Sequence, residues 1–338
     1  MKNNSFYAIK FEQDSLSFID QTKLPFEENY IKTDSFEIIA DAIEKLKIRG
    51  APLIGIAAAY AVALAFKGNL KKSDEYFQQV IERLQSTRPT AVNLFHTLNI
   101  MRDKFNSLSE DDDVYKELLN KAIEIEKAEI FYSEKIAKLG LNIFQKKSNV
   151  LTHCNTGSLA AADYGTALGI IKKAFEHNLI NIVYVDETRP LFQGLRLTAF
   201  ELEKYQIPFE VLTDSMASSL ISHNKVDLVI VGADRIALNG DTANKIGTLS
   251  LAIICSYFNI PFYVAAPSST IDKNIISGSE IIIEHRGAKE IYSFQDKLIG
   301  KESWNYYNPA FDVTPSHLIT GIITEKNIYR FPYNFINE

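Results

Sequence analysis

Residues 149–158 read Asn-Val-Leu-Thr-His-Cys-Asn-Thr-Gly-Ser: a short apolar run, Asn149 to His153, that breaks into a polar turn of the kind that opens a helix. Downstream the pattern repeats at Asn181 to Val185, Phe209 to Leu212, Asp227 to Val231, Phe262 to Ala265 and Ile281 to Ile283, with helical stretches between. Strands alternating with helices build a parallel sheet covered on both faces, so the spacing predicts a doubly wound α/β domain over residues 146–338. Upstream the period changes. Apolar residues recur at helical spacing in Ile38, Ile39, Ala42, Ile43 and Leu46 and again in Tyr76, Val80, Ile81 and Leu84, which predicts a smaller, mainly helical N-terminal domain over residues 1–145. The acidic stretch Ser107 to Asp113 reads as a solvated loop, and the amphipathic segment Val114 to Ile143 leads into the second half. Leu53 to Phe66, the most apolar run, falls short of the roughly 18 to 20 residues of a membrane-spanning helix and reads as a buried one.

Of the 338 residues, 46% are hydrophobic and 23% charged, a globular balance that excludes disorder. Lys plus Arg number 36 against 42 for Asp plus Glu, a net charge of -6, which leaves no basic surplus for a phosphate backbone and sets nucleic acid aside as a partner. The two cysteines, Cys154 and Cys255, and an opening Met1-Lys2-Asn3-Asn4-Ser5 without the apolar core of a signal peptide predict a cytoplasmic protein with reduced thiols and no membrane partner.

Ligands of an open parallel sheet bind beyond the carboxyl ends of its strands. Four polar constellations lie there: His153-Cys154-Asn155-Thr156-Gly157-Ser158, Asp186-Glu187-Thr188-Arg189-Pro190, Asp214-Ser215, and Gly232-Ala233-Asp234-Arg235. Cys154, set between a strand and a helix start and flanked by His153 and Asn155, is a candidate base or nucleophile, because a helix N-terminus favours a thiolate. Cys255, at the end of apolar Leu251 to Ile254, reads as a core residue. Asp234 follows the apolar Leu228 to Val231, where a desolvated carboxyl serves as a general acid; from this motif alone, a capping carboxylate or one paired with Arg235 is an equal reading.

Two segments suit an anion. Asn244 and Lys245 lie in a polar loop, Asn239 to Thr248, that enters the helix carrying Leu249 to Tyr257, where amides and an ammonium fit a phosphate or oxyanion. In Ile48-Arg49-Gly50-Ala51-Pro52 the proline opens a helix and the glycine permits close backbone approach, with Arg49 to grip phosphate. Arg88 in Ser86-Thr87-Arg88-Pro89-Thr90 repeats an arginine before a helix-starting proline, and either arginine alone also reads as a surface ion pair. Gly-x-Gly-x-x-Gly, the Walker loop, His-Glu-x-x-His and Cys-x-x-Cys are absent, which removes the sequence warrant for a dinucleotide, a nucleoside triphosphate or structural zinc. Among the histidines, His153 alone stands at a strand end facing the predicted site.

Together these segments resemble the methylthioribose-1-phosphate isomerases, a family related to the regulatory subunits of the eukaryotic translation-initiation nucleotide exchange factor. The resemblance spans Asp20-Gln21-Thr22 with Leu24-Pro25, Ile48 to Pro52, Arg88 to Leu94, His153-Cys154-Asn155, Glu187 to Pro190 with Gln193-Gly194, Gly232 to Ile236, Asn239-Gly240-Asp241, Ala243 to Thr248, and Asn308 to Pro315. It implies a small helical domain on a Rossmann-like catalytic domain, assembled as a homodimer that acts on a sugar phosphate without metal or nucleotide. It also implies Cys154 and Asp234 as the catalytic pair, with Arg49, Gly50, Ala51, Arg88, Gln193, Asn244 and Lys245 as substrate-binding residues. The chain departs from the family pattern at Thr156 and Ser158, where small residues such as Ala are expected, at Ser215 in Asp214-Ser215-Met216, and at Glu284-His285-Arg286. These departures bear on substrate preference more than on reaction type.

The implied reaction turns a 5-substituted ribose 1-phosphate into the ribulose 1-phosphate, in methionine salvage for the 5-methylthio sugar. With the anomeric oxygen esterified the ring cannot open spontaneously, so Asp234 is assigned to protonate the ring oxygen. Hydrogen then moves from the neighbouring carbon to the former anomeric carbon, as a proton taken by a Cys154 thiolate or as a hydride in a dry pocket, and the sequence leaves both routes open. Either route needs the phosphate fixed by positive charge and amides. One rival is an isomerase of 5-deoxyribose 1-phosphate or a related pentose 1-phosphate, since a missing thiomethyl costs only about 1 to 3 kcal/mol. The other is a non-catalytic regulatory subunit, against which Cys154, Asp234, Asn244 and Lys245 argue.

Overall fold

In the computed structural model, residues 6–68, 71–89, 91–294 and 297–336 are described; Met1 to Ser5 and Thr90 lie outside the described residues. The chain divides into two units, Met1–Ser133 with Gly157–Gly165, and Glu134–Thr156 with Thr166–Glu338.

The first unit opens on an antiparallel sheet of β1 (Ile9–Glu12), β2 (Ser15–Ile19) and β3 (Tyr30–Thr33), ahead of the helical pattern. Helices α1 (Phe36–Glu44), α2 (Ala51–Ala65), α3 (Asp74–Thr87) and α4 (Val92–Asn106) follow, then α5 (Val114–Gly140), which runs on into the second unit; the 3.6-residue period had marked α1 and α3. Ser35 and Ser73 cap α1 and α3 by accepting the amides of Ile38 and Tyr76. Apolar all round, α2 is buried from Leu53 to Ala65, and Gly55 lets α4 approach: a Cβ there would stand 2.7 Å from Thr97 Oγ1. Pro52 sits in the first turn of α2 as expected. Pro89 does not open a helix; it occupies the turn after α3, and α4 starts at Val92. Between α4 and α5 the acidic loop is exposed, with Asp112 accepting the amide and hydroxyl of Ser109.

In the remaining chain come β4 (Ser148–Thr152), α6 (Ser158–Ala161), α7 (Ala167–Glu176), β5 (Ile180–Asp186), α8 (Ala199–Lys204), β6 (Phe209–Leu212), α9 (Ala217–Ser222) and β7 (Leu228–Val231). Then follow β8 (Arg235–Ile236), β9 (Thr242–Lys245), α10 (Thr248–Tyr257), β10 (Phe262–Ala265), α11 (Lys289–Tyr292), the hairpin β11 (Ser293–Phe294) and β12 (Lys297–Leu298), β13 (Phe311–Thr314), β14 (Gly321–Ile323) and β15 (Ile328–Tyr329). The main sheet runs β15-β14-β10-β7-β4-β5-β6, parallel except for β15 against β14. The chain enters at β4, winds outward through β5 and β6, and returns to β7 on the other side of β4. This is the doubly wound, Rossmann-like order, with its switch point between β4 and β7. Val150, Val183, Leu228 and Ile230 pack with Leu168 and Ile171 of α7, while Leu151, Val229 and Val231 pack with Ile221 of α9 and with Leu251, Ala252 and Cys255 of α10. Cys255 is thus a core residue, and burial pushes its thiol up to about 12.

Two elements differ from the sequence reading. Ile281 to Ile283 forms no strand: Ile281 joins a small cluster with Ala237, Ala243 and Ile275, and Ile282 is 77% exposed. The sixth parallel strand is β14, only three residues long, too short to display a period. Asn239 to Thr248 is not all loop, because β9 pairs antiparallel with both β13 and β8. Asn244 and Lys245 are therefore strand residues, opposite Asp312 and Phe311.

Candidate active site

Where β4 and β7 end, Thr152 Oγ1 donates to Ile230 O at 2.8 Å, and with Leu151 opposite Val229 the two segments leave the sheet side by side. One continues as His153-Cys154-Asn155, the other as Gly232-Ala233-Asp234. Gly232 has no room for a side chain, since a Cβ would stand 2.4 Å from Thr156 Cγ2. Asp234 is half-buried, and its amide donates to Ala243 O of β9 at 2.9 Å. Its neighbour Arg235 lies 3.6 Å from Asp272.

Cys154 is buried and adopts φ 65°, a left-handed conformation that costs a non-glycine residue roughly 1 to 3 kcal/mol. Its amide donates to Thr188 Oγ1 at 2.8 Å, and its carbonyl accepts from Thr198 Oγ1 at 2.6 Å. Asn155 Nδ2 donates to Glu201 Oε1 of α8 at 2.8 Å. The helix after Cys154, α6, has four residues, so the dipole invoked for the thiol has little length behind it. Thr156 has its own task at this turn: its Oγ1 accepts the Leu168 amide of α7 at 3.2 Å.

His153 Nδ1 lies 3.0 Å from Asp186 Oδ2 and its Nε2 lies 2.9 Å from Ile246 O. With an acceptor at each nitrogen, the imidazole and carboxyl together hold two protons. Burial acts to lower the His153 pKa, but the hydrogen bond and charge of Asp186, with Asp214 behind, raise it on balance. Burial raises Asp186 as well, against the pull of His153. Asp214 accepts the Thr188 and Arg189 amides, each at 2.8 Å. His153, Asp186 and Asp214 bring ligand-type atoms within 4.8 Å of one another. With the ring nitrogens and the Asp214 oxygens already bonded, this cluster serves as a brace for the loops after β4 and β5 rather than as a metal-ligand set.

Asn244 Nδ2 donates to Thr248 Oγ1 at 3.0 Å, and Lys245 Nζ donates to Ala310 O at 2.8 Å while standing 4.4 Å over the Phe311 ring; both residues are buried. Asp312 accepts the amides of Gly247 and Leu249 at 2.8 and 3.0 Å, so the start of α10 already faces a carboxylate and is not an open phosphate cradle. Burial raises the Asp312 pKa, with the two amides, His153 and Lys245 working against it. Gln193 is buried at the start of the π-helical turn Gly194–Thr198, and its Oε1 has no hydrogen-bond partner among the described residues.

Cys154, Asp234, Gln193, Asn244 and Lys245 thus belong to the second unit; Arg49, Gly50, Ala51 and Arg88 belong to the first, all four half-buried. There Gly50, at φ 93°, leads into α2 so close to Ala160 that a Cβ would stand 2.4 Å from its Cα and O. Gln21 Nε2 donates to Leu159 O at 2.7 Å. The excursion 157–165 is held on both sides by motif residues. The sequence reading missed Thr188, Thr198, Glu201 and Asp312 as supports of the site. Thr188 stood in a recognised strand-end constellation, but nothing local marks Thr198 or Glu201.

Several known proteins are similar along nearly the whole chain. Methylthioribose-1-phosphate isomerase of Carboxydothermus hydrogenoformans is 48% identical over 96% of this chain and 95% of its own. That of Thermotoga maritima is 47% identical with the same coverage, 96% and 95%. The crystal structure of 5-methylthioribose 1-phosphate isomerase from Pyrococcus horikoshii matches with TM-score 0.90 and 36% identity, covering 97% of this chain and 93% of that one. A crystal structure described as translation initiation factor eIF-2B, subunit delta, from A. fulgidus matches with TM-score 0.85 and 37% identity, covering 97% of each. The sequence profile of the initiation factor 2 subunit family covers residues 47–329, and with these likenesses it establishes that the chain belongs to that family.

Proposed function

We propose that the protein is an aldose-ketose isomerase that converts 5-methylthioribose 1-phosphate into 5-methylthioribulose 1-phosphate, a step of methionine salvage. The observation that supports this reading is a buried, backbone-clamped thiol just past β4 and a carboxyl just past β7, two strands paired at the switch point of a chain whose curated relatives bear that isomerase's name. Asp234 gives its proton to the ring oxygen as the bond to the anomeric carbon breaks. Hydrogen then passes from C2 to C1, and the proton of the C2 hydroxyl leaves as the ketone forms, restoring the acid. Cys154 takes part in one of two ways: as a thiolate that removes the C2 proton and returns it to C1, or as a neighbour that stabilises a hydride shift. Gln193 Oε1, a buried acceptor, suits a sugar hydroxyl. In this reading Arg49 and Arg88 with the Gly50 and Ala51 amides serve the phosphate, and Asn244 and Lys245 serve the remaining hydroxyls.

Turnover of 5-methylthioribose 1-phosphate by the purified protein tests the reading, with Cys154→Ala and Asp234→Asn each expected to lower kcat by about 100-fold to 10,000-fold. Full activity in both variants overturns the assignment. Label at C2 tests the routes: exchange into solvent marks proton abstraction and excludes a hydride shift. The A. fulgidus likeness favours a second reading, a non-catalytic regulatory subunit, which predicts no turnover of any pentose 1-phosphate. A higher kcat/KM on 5-deoxyribose 1-phosphate than on the methylthio sugar would move the substrate assignment. The protein acts in the cytoplasm as a homodimer. In support of a second copy, α10 carries an exposed apolar face, with Ile253 51% and Tyr257 79% exposed.

A further inference from the structure

We propose that Thr188 and Thr198 are positioning residues of the reaction: their hydroxyls grip the Cys154 peptide from its two ends and hold the thiol in the left-handed turn. The proposal rests on the reading of Cys154 as a reacting group. Glycine adopts φ 65° freely, whereas a cysteine stays there only where its surroundings over-determine the backbone. Those surroundings are two hydroxyls. Thr188 Oγ1 accepts the Cys154 amide at 2.8 Å and donates its own proton to Asp186 O at 3.0 Å, so its orientation is set. Thr198 Oγ1 donates to Cys154 O at 2.6 Å. With exposures of 0% and 1%, neither hydroxyl has solvent to replace it.

Both threonines come from one excursion after β5, one near its start and one at the end of the π-helical turn, an element that recurs at functional sites. The excursion is itself braced. Asp214 binds the Thr188 and Arg189 amides, and Gly194 passes so near Asp186 that a Cβ would stand 1.8 Å from its carbonyl oxygen. Released from the two hydroxyls, Cys154 relaxes toward ordinary φ and its Sγ swings away from the reacting carbons. Such a displacement reduces kcat while leaving substrate affinity in place.

Thr188→Val and Thr198→Val remove each hydroxyl while keeping its shape; Thr188→Ser and Thr198→Ser keep the hydroxyl. Each valine variant is expected to lower kcat by about tenfold to a hundredfold with KM within about threefold, and each serine variant to recover kcat to within about threefold of the parent. Unchanged kcat in the valine variants overturns the clamp, as does serine as impaired as valine, or a loss confined to KM. Cys154→Ala in the same assay keeps the two ideas apart. Its full activity refutes the role of the thiol, while its inactivity beside active valine variants refutes only the clamp. If Thr188→Val fails to fold, the Thr198 pair decides by the same criteria.

Discussion

A cysteine in the left-handed turn at residue 154 and another sealed in the core at residue 255 answer to different chemistry. Alkylation reports the second directly. Because the thiolate is the nucleophile and burial pushes Cys255 up to about 12, native protein treated with iodoacetamide near pH 8 is expected to leave Cys255 unmodified until denaturant is added. Peptide mass mapping reads this, and native labelling at Cys255 contradicts it. His153 carries a pH signature. Its folded pKa is raised, so the folded chain binds that proton more tightly than the unfolded one does; the stabilisation is full below the ordinary imidazole value of about 6.5 and is lost as pH rises through the higher folded value. Melting temperatures are expected to fall across that window in the parent and to stay flatter in His153→Gln. That Cys154 and Asp234 lie just past strand ends was legible because each follows a clear apolar strand. Thr198 was not, because its partner, the Cys154 carbonyl, lies across the fold and leaves no mark beside residue 198.

β4, β5, β6, β7 and β10 were read at nearly their true bounds, as were the apolar run of α2 and the amphipathic α5, and the periodic positions of α1 and α3 fall inside those helices; α4 had no separate signal. β9 escaped because Thr242-Ala-Asn-Lys has no apolar alternation, and its pairing is supplied by β13, far along the chain. The same distant strand governs the start of α10. Asp312→Ala removes the acceptor of the Gly247 and Leu249 amides and is expected to destabilise the fold by about 1 to 2 kcal/mol in urea denaturation, more than a control at the exposed Asp111, Asp111→Ala. In the first unit, Gly50→Ala meets both a positive φ and the Ala160 backbone 2.4 Å away, so backbone must move. We expect a lowered melting temperature larger than that of Gly68→Ala, where φ is also positive but a Cβ meets nothing within 4 Å.

At the scale of the molecule, the first unit is discontinuous, taking in residues 157–165 from beyond the chain's change of texture near residue 147. Contacts such as Gln21 with Leu159 create that division, and contacts between distant segments leave no period to read. The proposed homodimer makes its own prediction: sedimentation is expected to give twice 38.2 kDa, and Ile253→Glu with Tyr257→Lys to reduce it to the monomer while Leu251, Ala252 and Cys255 on the buried face of α10 keep the fold. A monomer in the parent protein, or an unaltered dimer in the double variant, counts against that face.

Local sequence alone determined the α/β class, most of the strands and helices, and the placing of Cys154 and Asp234 just past strand ends, because periodicity and turn chemistry are properties of neighbouring residues. Tertiary structure decided that β4 lies beside β7, which turns two separate strand ends into one switch point; that Asp312, rather than a ligand, faces the start of α10; and that two threonines hold the Cys154 turn. Each of these depends on backbone and hydroxyl partners tens of residues apart, and such pairings acquire their energy only once the chain has closed around them.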